Sequence, residues 1–422
     1  MSISKTPVMV TGGAGYIGSH TVLALLDAGY PVIAIDNLSA GTRQPIHERT
    51  MFFEGSIENE SLIRAVMEMY RVGSVIHCAG SNDASDGPSD PMRFYRNNTS
   101  ATRSLVESAV ACGVANFVLS SSTAVYGRPA SLPATEGLEP NPQSAFAKSM
   151  LMAEQMLADT ARVHAFNFCT IRSSIVAGAD PALRAGPRDG SAGGTDGAAL
   201  DVIFGLRGAV TIGTCPGATP DGTAVRDYIH VSDLAAANVA ALRRLQSGNA
   251  NSLLLNCSYN AGYSDKAVID MLQRIFNMLI KHRQIPLSAD QMPVLITDNS
   301  AILGELDWSP QHNDLETLIR DNLRWELHRP RPAKMGSEAA WPRTAAPAHW
   351  TESPRRTGPS PSAAALPLLR GDPDGPGRQR EQGSERQAHI ARETPARQRQ
   401  QRSSAETGER RADQNPRQPR PA

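Results

Sequence analysis

Short apolar runs alternate with stretches of helical periodicity through the first half of the chain. Pro7–Thr11, Pro31–Ile35, Ser74–Cys78, Asn116–Ser120 and Phe166–Ile171 read as strands. Gly18–Ala28, Ser61–Tyr70, Thr99–Cys112 and Ser144–Ala161 read as the helices between them. That alternation predicts an α/β protein with a doubly wound parallel sheet, because parallel neighbours need crossovers and the crossover helices cover both faces. From Gly178 the pattern loosens, and Ala179–Ala198, rich in Gly, Asp and Ala, reads as a long loop. Pattern returns with a strand at Asp227–Val231, a helix at Leu234–Leu245, a strand at Leu253–Cys257 and a helix at Asp265–Ile280. A last helix, Leu315–Leu327, precedes Arg329-Pro330.

Beyond Pro330 the texture changes to Arg, Pro, Ala, Gly, Ser and Gln without amphipathic period. Residues 331–422 cannot bury enough apolar area to offset their conformational entropy, so a disordered tail is expected. This changes the reading of the charge. The whole chain is balanced at 42 basic and 42 acidic residues, but the tail holds 17 basic and 10 acidic ones, leaving the body negative by seven. A basic arm for nucleic acid is one alternative for the tail, disfavoured by its interspersed acids and scarce aromatics. An out-of-frame extension of a GC-rich gene would give the same composition. No partner nucleic acid is expected. No apolar run reaches the roughly 18 residues of a membrane span, and a strand-like run begins where a signal peptide would lie. A cytoplasmic protein is expected. Its five cysteines, Cys78, Cys112, Cys169, Cys215 and Cys257, are widely spaced and read as buried free thiols. No metal site is expected.

The first candidate chemistry is Thr11-Gly12-Gly13-Ala14-Gly15-Tyr16-Ile17-Gly18, between the first strand and the first helix. Glycines at 12, 15 and 18 permit a tight turn, close approach of backbone to a pyrophosphate, and close helix–strand packing. Phosphates at such a helix N-terminus meet unpaired N–H groups and the positive end of the dipole. Asp36 closes the second strand, where a carboxylate accepts from ribose hydroxyls and repels a 2′-phosphate, favouring NAD over NADP. Ile76-His77-Cys78-Ala79-Gly80 and Ser120-Ser121-Ser122-Thr123 end later strands, on the edge where open parallel sheets bind ligands. The reading is a Rossmann domain over 1–172, a smaller substrate-binding lobe over 173–330 with some segments returning to the first sheet, and the tail from 331.

With Asp36-Asn37-Leu38, Phe117–Gly127, Asn141–Leu157 and Val225–Leu234 added to these motifs, residues 7 to 330 resemble the extended short-chain dehydrogenase/reductases, and within them the UDP-glucose 4-epimerases. The resemblance implies NAD held by Gly12, Gly15, Tyr16, Ile17, Gly18, Asp36, Asn37, Ser56, Ile57, Cys78, Ala79, Gly80, Asn97 and Ser122. It implies a UDP-sugar substrate with Arg226 on a phosphate, a homodimer formed through Thr99–Cys112 and Ser144–Ala161, and a role in galactose or exopolysaccharide sugar supply. The implied chemistry oxidises the sugar at C4, lets the keto-sugar rotate and returns hydride to its other face. A surface ion pair of Arg226 with Asp227 or Asp233 is the alternative reading of that arginine.

The departures fall at the chemistry. The family's Tyr-x-x-x-Lys pair is replaced by Phe146 and Met150, and Ser122 alone remains of the catalytic set. Phe146 has no hydroxyl to move a proton, and Met150 has no charge to tune one. Lys148, 160° to 200° from either by roughly 100° per residue, is expected to face away. Ile175 stands at the family's UDP-binding asparagine, Ser288 at an arginine, Gln291 at an acid, Ser56 at an adenine-contacting aspartate and Asn82 at a lysine. Three readings stay open: an epimerase, a pseudoenzyme that binds NAD or a nucleotide sugar, and an enzyme using another base, with Ser122 or Tyr126 as candidates.

Overall fold

Seven parallel strands form the central sheet. They are β1 Val8–Thr11, β2 Val32–Asp36, β3 Met51–Glu54, β4 Ser74–His77, β5 Asn116–Ser122, β6 Asn167–Ser173 and β10 Leu253–Cys257. Their order across the sheet is β10-β6-β5-β4-β1-β2-β3. The computed structural model describes residues 5–329 apart from 44–45, 83–89, 189–193, 204–206, 249–251 and 289–290. Contacts divide the chain into 1–367 and 368–422, and the tail reading, like the whole second unit, lies outside the described residues.

Strand alternation explains the two-sided burial. Val8, Val10, Ala34, Ile76 and Val118 face one apolar cluster, completed by helices Tyr16–Asp27 and Val231–Gln246. Met9, Ile33, Ile35, Val75, Phe117 and Leu119 face the other, completed by helices Glu60–Met69 and Ala101–Ala111. Neighbouring residues of one strand point oppositely, so a sheet covered on both sides needs continuous apolar runs. Each large side chain fully withdrawn from water contributes about 1.5–3 kcal/mol. Strand order reverses between β1 and β4, and their carboxyl ends open a crevice there.

The second lobe is built on β9 Val225–His230. It pairs in parallel with β7 Ile175–Ala177 and β13 Val294–Leu295, and antiparallel with β11 Gly262–Ser264. A separate parallel pair joins β8 Val210–Thr214 to β12 His282–Pro286. A third apolar cluster binds this lobe through helices Asp265–Phe276 and Leu315–His328.

Several expectations are corrected. β3 is not among the expected strands: it is a four-residue edge strand, Met51-Phe52-Phe53-Glu54, too short to show a period, with Met51 and Glu54 exposed. The expected Ala179–Ala198 loop contains the start of helix Gly194–Ile203, whose Ala199 and Leu200 are buried. The helix from Asp265 ends at Phe276, capped by Asn277 in the left-handed region at φ 49°. Of the five free cysteines, Cys169 and Cys257 are buried, while Cys78, Cys112 and Cys215 are only half-buried. Among the described residues no helix is long and apolar enough to cross a membrane.

Beneath the crevice a hydrogen-bonded chain ties two strands to a helix. His77 Nδ1 lies 2.6 Å from Thr11 Oγ1, and His77 Nε2 lies 2.8 Å from Thr102 Oγ1. Thr102 donates its proton to Asn98 O at 2.7 Å, so it accepts from His77 Nε2–H, and His77 Nδ1 accepts from Thr11. That tautomer is neutral, and burial holds the imidazole down at about 4 from its usual 6.5. The unfolded chain takes up the proton below pH 6.5, and the folded protein does not until about pH 4. This group's stabilisation is therefore complete above pH 6.5 and is lost as pH falls toward 4. His77→Gln should cost about 1–3 kcal/mol at roughly pH 7.5. The gap from wild type should narrow by about 1–3 kcal/mol between roughly pH 6.5 and 4.5. Urea titrations across that range check this, and a gap independent of pH contradicts it.

Candidate active site

The site spans two adjoining clefts above the carboxyl edge of the sheet, sharing Cys78, Ala79, Gly80 and Ser81. The first lies between β1, β2 and the loop after β4. Gly12 sits at φ +67°, and a Cβ there would lie 2.7 Å from Ala79 N. A Cβ on Gly18 would lie 2.0 Å from Gly12 O. Only glycine allows this approach of helix to strand, and the turn it makes is open to a diphosphate.

Asp36 is fixed at the end of β2, with Oδ2 accepting from Ala14 N at 3.0 Å and Oδ1 from Leu38 N at 2.7 Å. Each oxygen keeps a lone pair for a ribose hydroxyl. Asn37, Ser56, Ile57, Cys78, Ala79, Gly80 and Asn97, the residues the resemblance assigns to NAD, line the same cleft. Ser39, Gly41, Ser81 and Arg93 line it too and were not foreseen. Their loops carry no local signature, although Gly41 is required: its Cβ would meet Asp36 Oδ1 at 2.9 Å.

The second cleft brings together Tyr16, Ile17, Asn82, Ser122, Phe146, Met150 and Ile175. Phe146 and Met150 both face it from helix Ala145–Val163, while Lys148 is exposed on the other side, as expected. The substituted side chains have apolar partners. Phe146 meets Phe94 edge-on at a centroid distance of 6.1 Å, and Met150 packs against Val125, Tyr126 and Ala134. Ser122 caps the short turn Thr123–Tyr126, its Oγ accepting from Ala124 N at 3.2 Å. The ionisable groups among the described residues lining this cleft are Tyr16 and Cys78. Tyr16 donates to Gly178 O at 2.5 Å, and burial pushes the Cys78 thiol up to about 12.

Tyr126 does not face the cleft as a base. It is fully buried, and its hydroxyl donates to Asn256 Oδ1 at 2.7 Å. Burial raises its pKa further above its usual value. Arg226 is also placed differently from its surface alternative. It is half-buried and its Nη1 donates to Val225 O at 2.8 Å and Pro293 O at 3.2 Å. Burial lowers its pKa, and the nearby Asp265 opposes that effect. Asp227 and Asp233 are not its partners; they bind the Tyr259 N–H and the Tyr259 hydroxyl. Ser288 and Gln291 lie on an exposed turn after β12.

The scaffold under the second cleft is a charged network that motif reading missed. Arg172 in β6 forms a two-pronged pair with Glu154, Nε at 3.1 Å and Nη2 at 2.6 Å, both residues nearly inaccessible. Ser121 donates to Glu154 Oε1 at 2.5 Å, and the guanidinium lies 4.7 Å from the Tyr126 ring centroid. Asn98 binds the loop to the helix, accepting from Ser81 N at 2.7 Å and donating to Ser149 Oγ at 3.0 Å.

A family model described as the NAD dependent epimerase/dehydratase family matches residues 8–262. The chain belongs to that family, among the UDP-glucose 4-epimerases. It is 40% identical over 319 residues to the UDP-glucose 4-epimerase of Azospirillum brasilense, covering 76% of this chain and 91% of the relative. It is 31% identical to that of Lacticaseibacillus casei over 76% of this chain and 97% of the relative. The crystal structure of UDP-glucose 4-epimerase from Brucella ovis in complex with NAD superposes with a TM-score of 0.72 at 32% identity, covering 76% of this chain and 98% of that one. That from Bifidobacterium longum in complex with NAD+ and UDP gives 0.71 at 29% identity, covering 76% and 98%.

Among the described residues one cluster, His230, His312 and Asp321, brings three possible ligand atoms within 4.8 Å of one another. His230 Nδ1 accepts from Ser232 N at 3.0 Å, so the neutral ring carries its proton on Nε2, the nitrogen facing the cluster. A metal-binding imidazole needs the opposite arrangement.

The charge network makes the supporting frame testable. Glu154→Gln or Arg172→Met alone should destabilise by about 3–5 kcal/mol, because each leaves an uncompensated buried group. Glu154→Gln with Arg172→Met should cost clearly less than the two singles together. Denaturant unfolding of the four proteins decides this, and simple additivity would contradict the paired arrangement.

Proposed function

We propose that this chain is an NAD-binding, UDP-glucose 4-epimerase-like protein whose sugar chemistry is strongly impaired. The carrying observation is the second cleft. Phe146 and Met150 occupy its wall beside Ser122, the Tyr16 hydroxyl is committed to Gly178 O, and the Cys78 thiol is held neutral. Gly12, Gly15 and Asp36 would hold NAD, with Ser56, Ile57 and Asn97 at the rim. The fit rests on the glycine contacts and on the spare lone pairs of Asp36. Bound there, NAD would supply a hydride acceptor and donor. Removing hydride from C4 of a sugar also requires removal of the hydroxyl proton, and of the residues that the resemblance assigns to that step Ser122 alone keeps a hydroxyl. An unassisted hydroxyl near neutral pH is a poor base.

Substrate binding is weakened in the same reading. UDP-glucose and UDP-galactose are the proposed sugar nucleotides. Ile175 in the cleft offers no hydrogen bond where one is needed. Arg226 remains as a phosphate contact, after release of its two backbone partners. A non-catalytic binding role is the consequence we favour. Residual epimerase activity is the second reading, supported by similarity to UDP-glucose 4-epimerases over more than nine-tenths of their length. A cytoplasmic homodimer paired through helices Ala101–Ala111 and Ala145–Val163 fits either reading, as does a place in galactose or exopolysaccharide supply.

Restoration tests the proposal. Phe146→Tyr alone should change turnover of UDP-galactose little, because its phenol lacks a neighbouring ammonium. Phe146→Tyr with Met150→Lys should raise it by more than the product of the single effects, since the two groups act as a unit. The hydrocarbon stem that Met150→Lys introduces can lie along the apolar wall and carry its charge into the cleft. Equal turnover in wild type and double variant, measured by coupled conversion to UDP-glucose, would contradict the assignment of these two positions.

A further inference from the structure

The two clefts differ in what they offer a ligand. In the first, both Asp36 oxygens hold one backbone N–H each and keep further lone pairs. Gly15 N is bonded to Gly12 O, and the helical ladder begins with Ser19 N on Gly15 O. The amides of Tyr16, Ile17 and Gly18 lie between, in the first helical turn where the two clefts meet, Tyr16 and Ile17 lining the second. The first cleft is built for two ribose hydroxyls, and the glycine turn where it meets the second for a diphosphate.

In the second cleft most hydroxyls already serve the protein. Ser121 donates to Glu154, Ser173 to Ser121 O and Tyr16 to Gly178 O, while Ser122 Oγ accepts from Ala124 N and keeps its own O–H to donate. Phe146, Met150 and Ile175 present hydrocarbon, sulfur and aromatic edge. Ser174 keeps a buried hydroxyl without a partner. A second ribose entering here would leave water for few replacement hydrogen bonds, and a cationic nicotinamide would find no anion among the described lining residues.

We propose that the protein recognises the adenosine diphosphate portion of its ligand and is nearly indifferent to what that portion carries. NAD, ADP-ribose and ADP are then alternative ligands of comparable affinity, and the protein is a binder of adenosine diphosphates in general. This rests on the assignment of the first cleft as the NAD site. Beyond the turn that both clefts share, the second cleft contributes space rather than binding energy.

Calorimetric titration of the purified full-length chain with NAD, ADP-ribose and ADP at one salt concentration tests this. The three dissociation constants should agree within about tenfold, and Asp36→Ala should weaken all three by a common factor. Met150→Lys, checked for folding by its melting curve, should tighten NAD and ADP-ribose by about tenfold relative to ADP, because only they place a second ribose beside the new ammonium. NAD binding more than about tenfold tighter than ADP to the wild type overturns the proposal while leaving the NAD site in place. Binding of none of the three by folded protein overturns the NAD site itself.

Discussion

The crevice exists because two backbones approach more closely than any side chain allows. Gly12 passes over Ala79 where strand order reverses between β1 and β4, and a Cβ at position 12 would lie 2.7 Å from the Ala79 amide. That approach sets the path of the turn, the start of helix Tyr16–Asp27 and the angle at which Asp36 reaches the same space. The Thr11–His77–Thr102 chain holds these strand ends from below. The first cleft follows from this packing, and its chemistry is mostly backbone amide and the Asp36 carboxylate at the end of β2.

The second cleft depends on a different frame, the Arg172–Glu154 pair with Ser121 and the Asn98 bridge. This frame survives replacement of the groups it displays. Phe146 rests on Phe94 and Met150 on Val125, Tyr126 and Ala134, so each lost polar group is exchanged for apolar contact. Stability and chemistry are separable here: the fold has no need of an ammonium or a phenol at these positions, whereas proton transfer has.

Much of this was legible in the sequence. Glycine spacing, Asp36 and the run of apolar strands located the sheet and its binding edge. The four-residue spacing of Phe146 and Met150 placed both on one helix face. What was not legible depended on tertiary partners. β3 hid because its four residues, Met51–Glu54, are too short a run to show a period. Helix Gly194–Ile203 hid because Gly and Ala dominate a segment whose burial comes from the second lobe. Tyr126 read as a base because its motif lies beside Ser122, yet its hydroxyl turns into the core toward Asn256. Glu154 and Arg172 sit on different elements, 18 residues apart, and no local pattern pairs a helix carboxylate with a strand guanidinium.

The central claim is that a preserved fold and NAD cleft surround a site that has lost its proton-transfer pair. Turnover of UDP-galactose to UDP-glucose by the purified wild-type protein, with saturating NAD and substrate, tests it most directly. The account predicts a rate at least about 10²–10⁴-fold below that of an epimerase with the Tyr-x-x-x-Lys pair, the usual contribution of a positioned general base. A wild-type turnover in the ordinary enzymatic range of roughly 1–10³ per second would contradict it and require a base that the cleft, as described, does not supply.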